Sequence, residues 1–348
     1  MIVFEAVRAL IIFALSFVTA IFLTAVFLRV IERIDLKKVN IRDEKSAPIF
    51  NSLHKQKNET PTMGGIIIWG SVIFLAVLFL IFQKFWDGFG DYFSFVNRAE
   101  TYLPLAAMLI AAILGLIDDI FGILRIGPHG GGLRIKHKLF LYLLIGGLGA
   151  WWFYFKLGFN TLYFPFFGHV FIGWWYIPFF IFILIASAFS ANETDGLDGL
   201  LGGTMIFSFG ALSVVAFVLN RYDLAMMGTA VLGALLAFLW FNIYPARFFM
   251  GDTGSMALGV TLGVMAMLTN TALLLPFFAL IPVIETLSVI VQLISKKLFK
   301  RKIFLSTPIH HHFEALGWPE SRVTMRFWII SALASAFGLV IFFLARFV

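Results

Sequence analysis

Residues 9–28 read ALIIFALSFVTAIFLTAVFL, twenty consecutive positions without a charge. As a helix rising 1.5 Å per residue, that run covers the ~30 Å hydrocarbon core of a bilayer. It exceeds the apolar segment of a secretory signal, about 7–15 residues, and shows no cleavage pattern. It reads as a first membrane span. The rest of the chain repeats the message. Of 348 residues, 61% are hydrophobic and 13% charged, against roughly half and a quarter in a soluble domain. So few charges could not cover a soluble fold of this size, and a disordered chain would be polar. The composition describes an all-α integral membrane protein.

Measured against the ~20 residues that a spanning helix needs, uncharged windows give ten spans. Their limits are 5–28, 63–83, 101–118, 137–156, 170–190, 199–219, 224–242, 253–269, 272–295 and 325–346. The stretch from Thr253 to Ile284 is uncharged for 32 residues, too long for one pass, and divides at Thr269-Asn270-Thr271. Pro276 and Pro282 let the ninth span bend or break. No internal repeat, coiled coil or low-complexity segment interrupts the pattern, so residues 1–348 read as a single polytopic domain.

Charge sets the orientation. Of 26 Lys and Arg, 20 fall in the loops after spans 1, 3, 7 and 9. By the positive-inside rule those loops are cytoplasmic and both termini face out. The net charge of +7 is therefore mainly topological, with affinity for anionic lipid or phosphate second, and no nucleic-acid partner is implied. Trp151-Trp152 and Trp174-Trp175-Tyr176 sit where an outer interfacial belt would fall. The absence of cysteine excludes disulfides, thiolate metal sites and a Cys nucleophile.

The polar residues inside this frame gather on one side. Asp118 and Asp119 end span 3. Asn192, Asp195 and Asp198 lie between spans 5 and 6, and Asn242 and Asp252 between spans 7 and 8. His310, His311 and His312 lie between spans 9 and 10. All four loops are on the basic side. Asp195, Asp198 and Asp252 each precede a helix, where an N-cap carboxylate contributes about 1 kcal/mol. Asp118 and Asp119 sit instead at the negative end of a helix dipole, a cost that asks for a function. Neighbouring helical residues point ~100° apart, so three successive histidines do not converge on one zinc ion, whose helical ligand pairs are spaced i, i+4. Carboxylates without cysteine suit Mg²⁺, held by one or two carboxylates plus substrate phosphates. Lys57, just before Pro61-Thr62-Met63-Gly64-Gly65, fits either a phosphate contact or an ordinary interfacial anchor. Glu285 is the one acid deep within a span, and Gln292 follows two turns later; intramembrane carboxylates are expensive and usually functional. Physical chemistry thus reaches a Mg²⁺-assisted reaction on a phosphate compound, at the cytoplasmic face and within reach of lipid.

At these residues the chain resembles the phospho-N-acetylmuramoyl-pentapeptide transferases, a branch of the polyprenyl-phosphate N-acetylhexosamine-1-phosphate transferases. The resemblance runs through PTMGG at 61–65, the paired Asp at 118–119, DGLDGL at 195–200 and FNIYPARFFMGDTGS at 241–255. It continues in ETLSVIVQ at 285–292 and TPIHHHFEALGWPESRV at 307–323. It implies ten membrane helices around a cytoplasmic cleft in the bacterial cytoplasmic membrane. It also implies transfer of phospho-MurNAc-pentapeptide from UDP-MurNAc-pentapeptide to undecaprenyl phosphate, giving lipid I and UMP for peptidoglycan. By the same resemblance Asp252 is the Mg²⁺ ligand, Asp118 the base or nucleophile and Asp119 its catalytic neighbour. Asn192, Asp195, Asp198, Asn242 and Gln292 become cleft residues, and Phe249 stacks uracil. Lys57 and Thr62 stand at the rim, and His310 to His312 form the essential His loop. A homodimer is the association to test. The chain departs from the family pattern at Glu59, at Gly122 after the paired Asp, at Phe189 in the last turn of span 5 and at Glu193 just beyond it.

Two other readings compete. A sister enzyme would run the same chemistry on UDP-GlcNAc. A transporter would place its acids near the midplane at repeat interfaces, whereas here nearly all lie at one face. Because the lipid phosphate is already an anion near neutral pH, direct attack with Asp118 as orienting group or base is favoured over a covalent aspartyl phosphate.

Overall fold

The computed structural model describes residues 2–31, 60–86, 88–97, 100–127 and 131–347. Among these, nine helices are long and apolar enough to cross a membrane, and a bent helix pair makes the tenth span. In chain order they begin with α1 (Ile2–Ile31), α2 (Gly65–Phe85), the short α3 (Phe89–Phe93) and α4 (Tyr102–Ile123). Next come α5 (Ile135–Trp151), α6 (Tyr176–Thr194), α7 (Leu200–Val218), α8 (Tyr222–Asn242) and α9 (Gly251–Leu268). The bent pair is α10 (Leu275–Phe278) and α11 (Leu280–Leu298); α12 (Ile309–Ala315) and α13 (Glu320–Phe347) complete the chain. The protein is a multi-pass membrane protein, as the composition requires.

Helix α9 is the hub. Every residue from Thr253 to Leu268 is buried, and its main neighbours are α4 and α6, with α2 also packed against it. A helix apolar all round belongs inside a bundle. Lipid tails are as apolar as leucine, so tight packing rather than hydrophobic transfer holds such helices together, and small residues allow it. Gly115 shows how close the backbones come: a Cβ there would lie 2.3 Å from the Asp252 carbonyl oxygen. Helix α4 is thereby pressed against the first turn of α9, one helical turn from Asp118.

Two features depart from a plain helical reading. A β-hairpin pairs Thr161–Phe164 (β1) with Gly168–Phe171 (β2) in antiparallel register. It takes the residues expected to open the fifth span, and the helix begins only at Tyr176. Short aromatic and β-branched runs carry the same hydropathy in an interfacial hairpin as in a membrane helix, so the apolar window could not separate them. The second feature is the ninth span, where the axis turns 91° between Ala272–Phe278 and Leu280–Leu298. Pro282 has no N–H to give the carbonyl of Phe278. Two hydroxyls replace it: Ser208 and Ser335 donate to that carbonyl at 2.7 and 3.1 Å.

Polar contacts fix the two ends of the bundle. At one end Arg8 donates to Asp223 at 2.8 Å, to Glu5 at 3.1 Å and to the Ser94 carbonyl at 2.9 Å. There too the Tyr163 hydroxyl donates to the Ala345 carbonyl at 2.5 Å, and Tyr163 N–H to Asn270 at 3.0 Å. The starts of α1 and α8, the ends of α9 and α13, and the hairpin therefore share one end. The end of α8 and the start of α9 lie at the other, with the polar loops.

Candidate active site

The centre of that other end is a charged trio. Lys138, near the start of α5, places its Nζ 2.6 Å from Asp118 of α4 and 3.1 Å from Asp252 of α9. Asp118 is buried at 1% exposure, and its second oxygen accepts the backbone N–H of Leu133 in a short bond. Asn192, in the last turn of α6, donates through its amide to Asp252 in a second short bond, and to Ser255 at 3.1 Å. Four helices far apart in sequence thus meet at two carboxylates, one ammonium and one amide. Sequence reasoning counted Lys138 only as a loop cation. The signal that could have singled it out is its place inside the limits of a span, where a lysine needs a partner. The ammonium beside Asp118 comes from the following helix, α5.

The acid next door has a different task. Asp119 is fully buried and accepts the Thr253 N–H at 3.0 Å, while Asp195 accepts the Gly251 N–H at 3.1 Å. Two of the unpaired donors at the start of α9 are therefore satisfied from other elements, by groups whose charge suits the positive end of its dipole. This explains the acid pair that the sequence presents as a cost. Helices α7 and α9 carry no side-chain cap of their own, so the local N-cap reading of Asp195, Asp198 and Asp252 does not hold.

The remaining residues frame the trio. Pro61 to Gly65 is zipped onto the loop before α9. Phe249 N–H donates to the Pro61 carbonyl, Gly64 N–H to that of Phe249, and Gly65 N–H to that of Met250, each at 2.8 Å. That pairing buries Thr62 and leaves Phe249 partly exposed. Lys57 and Glu59 lie outside the described residues. Asp198 accepts the Ala246 N–H at 3.0 Å and gives its own N–H to Glu320 at 2.6 Å. Asn242 joins the Gly199 N–H, at 3.0 Å, to the Phe248 carbonyl, at 2.9 Å. Gln292 accepts the N–H groups of Ile303 and Phe304 and donates to the Phe304 carbonyl, holding the chain that leads to α12. Asp198, Asn242 and Gln292 thus shape the loops around the cleft.

The three histidines turn to three partners. His310 Nδ1 lies 3.0 Å from the buried carboxylate of Glu285. Its Nε2 abuts Gly196, where a Cβ would come within 2.3 Å. His311 meets Glu314 at 2.7 Å, and His312 Nδ1 accepts the Leu305 N–H at 3.2 Å. Glu285, singled out as an intramembrane acid, thus holds the first histidine against the DGLDGL loop. A cavity of ≈ 80 Å³ beside the trio is lined by Leu133, Lys138, Leu139, Tyr142, Phe189, Asn192 and Glu193.

A bundle of apolar helices with its carboxylates and ammonium at one rim is the frame of an integral membrane group-transfer enzyme working at the bilayer surface. Comparison with known sequences narrows the class. The profile of glycosyl transferase family 4 matches residues 101–270. The phospho-N-acetylmuramoyl-pentapeptide-transferase of Geobacillus sp. (strain WCH70) is 39% identical, covering 83% of this chain and 85% of its own. That of Nautilia profundicola is 36% identical over 83% of each chain. That of Chloroflexus aurantiacus is 34% identical over 96% of this chain and 89% of its own. The chain belongs to the phospho-N-acetylmuramoyl-pentapeptide-transferase family.

Proposed function

We propose that the protein transfers phospho-MurNAc-pentapeptide from UDP-MurNAc-pentapeptide to undecaprenyl phosphate in a bacterial cytoplasmic membrane, and that the reaction depends on Mg²⁺. The observation that carries the site assignment is the meeting of Asp118 and Asp252 on one ammonium. Two carboxylates against one lysine leave negative charge in excess, and their hard oxygens are the donor type that Mg²⁺ takes. Asp252 would hold the ion, which when bound supplies charge neutralisation for a diphosphate. His310, His311 and His312 are already engaged with Glu285, Glu314 and Leu305, and so serve the loop rather than the ion.

Phosphoryl transfer asks mainly for positioning and electrostatic stabilisation. A bond forms between an acceptor phosphate oxygen and the sugar-bearing phosphorus, and the bond from that phosphorus to the UMP oxygen breaks. Asp118, held by Lys138 and Leu133, orients the acceptor and takes its proton when one is present. Lys138 draws phosphate oxygens to the trio. Asp119 and Asp195 act through α9, fixing the turn that presents Asp252. Thr62, Phe249 and the Asp195–Asp198 loop border the side reserved for the nucleotide, Asn192 anchors Asp252, and Lys57 is a further substrate contact by the family resemblance alone.

Purified protein supplied with undecaprenyl phosphate should release UMP from UDP-MurNAc-pentapeptide and not from UDP-GlcNAc. Asp252→Asn should lower the rate by about 100-fold or more and weaken the response to Mg²⁺, with an unchanged melting temperature. Near-wild-type turnover in that variant would remove the metal assignment.

A further inference from the structure

We infer that the hydroxyl of Tyr142 is an additional substrate contact, a hydrogen-bond donor to the phosphate of the lipid acceptor. Tyr142 is 1% exposed, and its hydroxyl has no hydrogen-bond partner among the described residues. A buried hydroxyl left unpaired is costly, so its retention asks for a partner that arrives from outside. The hydroxyl belongs to a residue lining the ≈ 80 Å³ cavity, and the cavity has a definite chemistry. Its α5 wall carries Lys138 and Tyr142, one helical turn apart on the same face; its α6 wall carries Phe189, Asn192 and Glu193 at the same kind of spacing. An ammonium and a phenol hydroxyl supply donors for an anion, while the Asn192 amide is taken up by Asp252 and Ser255.

The remaining walls decide which anion. Leu133, Leu139 and Phe189 are apolar, and Leu139 is 39% exposed on a helix whose Phe140 and Leu143 also face outward. A cavity with donors at one wall and apolar side chains leading toward the lipid-facing surface suits an anion on an apolar tail. A nucleotide, polar at both ends, suits it poorly. Glu193 lines the same cavity and opposes an anion there, so a phosphate bound in it depends on directed hydrogen bonds rather than on bulk positive charge.

The inference rests on the transferase reading, and its test separates the two. UMP release by the wild-type protein is measured while undecaprenyl phosphate is varied at saturating UDP-MurNAc-pentapeptide, and then the reverse. If the wild type releases no UMP, the transferase reading fails. Given wild-type turnover, Tyr142→Phe should raise the KM for undecaprenyl phosphate about tenfold, the effect of one hydrogen bond to a charged group. The KM for the UDP substrate should stay within twofold. The substrate-free melting temperature should not fall, because the variant removes a hydroxyl that has no partner. An unchanged lipid KM, an increase confined to the UDP substrate, or a drop in melting temperature showing that the hydroxyl was already satisfied would each overturn the proposal.

Discussion

Asp118 and Lys138 stand 2.6 Å apart, with Asp252 on the other side of the ammonium, and two predictions belong to these residues. If Asp118 orients or deprotonates the acceptor, Asp118→Asn should retain residual activity that rises with pH. The second ionisation of a phosphate monoester lies near pH 6, so above it the acceptor needs no base. A variant inactive at every pH, or a phosphoenzyme trapped in wild type, would point to an aspartyl intermediate instead. Lys138→Met should be both inactive and less stable, by about 3 kcal/mol, because it leaves the buried carboxylate of Asp118 and the partly buried one of Asp252 facing each other without their cation. UMP release and thermal unfolding in detergent check the two effects together. Wild-type stability in Lys138→Met would mean that the trio is not the electrostatic unit described. These residues were unequally legible in the sequence. The acids stood out because carboxylates are rare in so apolar a chain, whereas Lys138 was one basic residue among twenty on its side of the membrane.

At the scale of elements, the crossing of α4 and α9 positions the chemistry. Gly115 lies under the Asp252 carbonyl, so Gly115→Ala forces the two backbones apart while removing no polar group. Misplacement by about 1 Å costs on the order of 100-fold in rate. Gly115→Ala should therefore lose most of its UMP release and require more Mg²⁺ for half-maximal rate, while remaining folded. Activity within a factor of two of wild type would show that the crossing is loose. The ninth span teaches a related point. Pro282 announced a break in the sequence, but the groups that take over the orphaned Phe278 carbonyl, Ser208 and Ser335, come from two other helices.

For the whole molecule, the testable statement is sidedness. The chain has no cysteine, so single cysteines enter an empty background. Phe167→Cys, at the 85% exposed turn of the hairpin, should react with an impermeant thiol reagent in intact cells. Lys302→Cys, between α11 and α12, should react only after permeabilisation. Labelling of both from the same side would break the ten-span arrangement and with it the common cleft.

The sequence by itself determined the class of fold, the number and approximate limits of the spans and the family, and it carries the expectation of their sidedness. These follow from hydropathy over windows, from charge placement and from contiguous motifs, all of which are local properties. Only the tertiary structure decided that Asp119 and Asp195 serve the start of α9 while Asp118 and Asp252 share Lys138. It also assigned the Gln292 amide to a loop backbone and turned the three histidines to separate partners. It alone showed a hairpin where a span was expected to begin. Each of these depends on which distant N–H, carbonyl or ammonium comes within about 3 Å of a side chain. That is set by how closely glycine and other small residues let the helices approach, and no window along the chain records it.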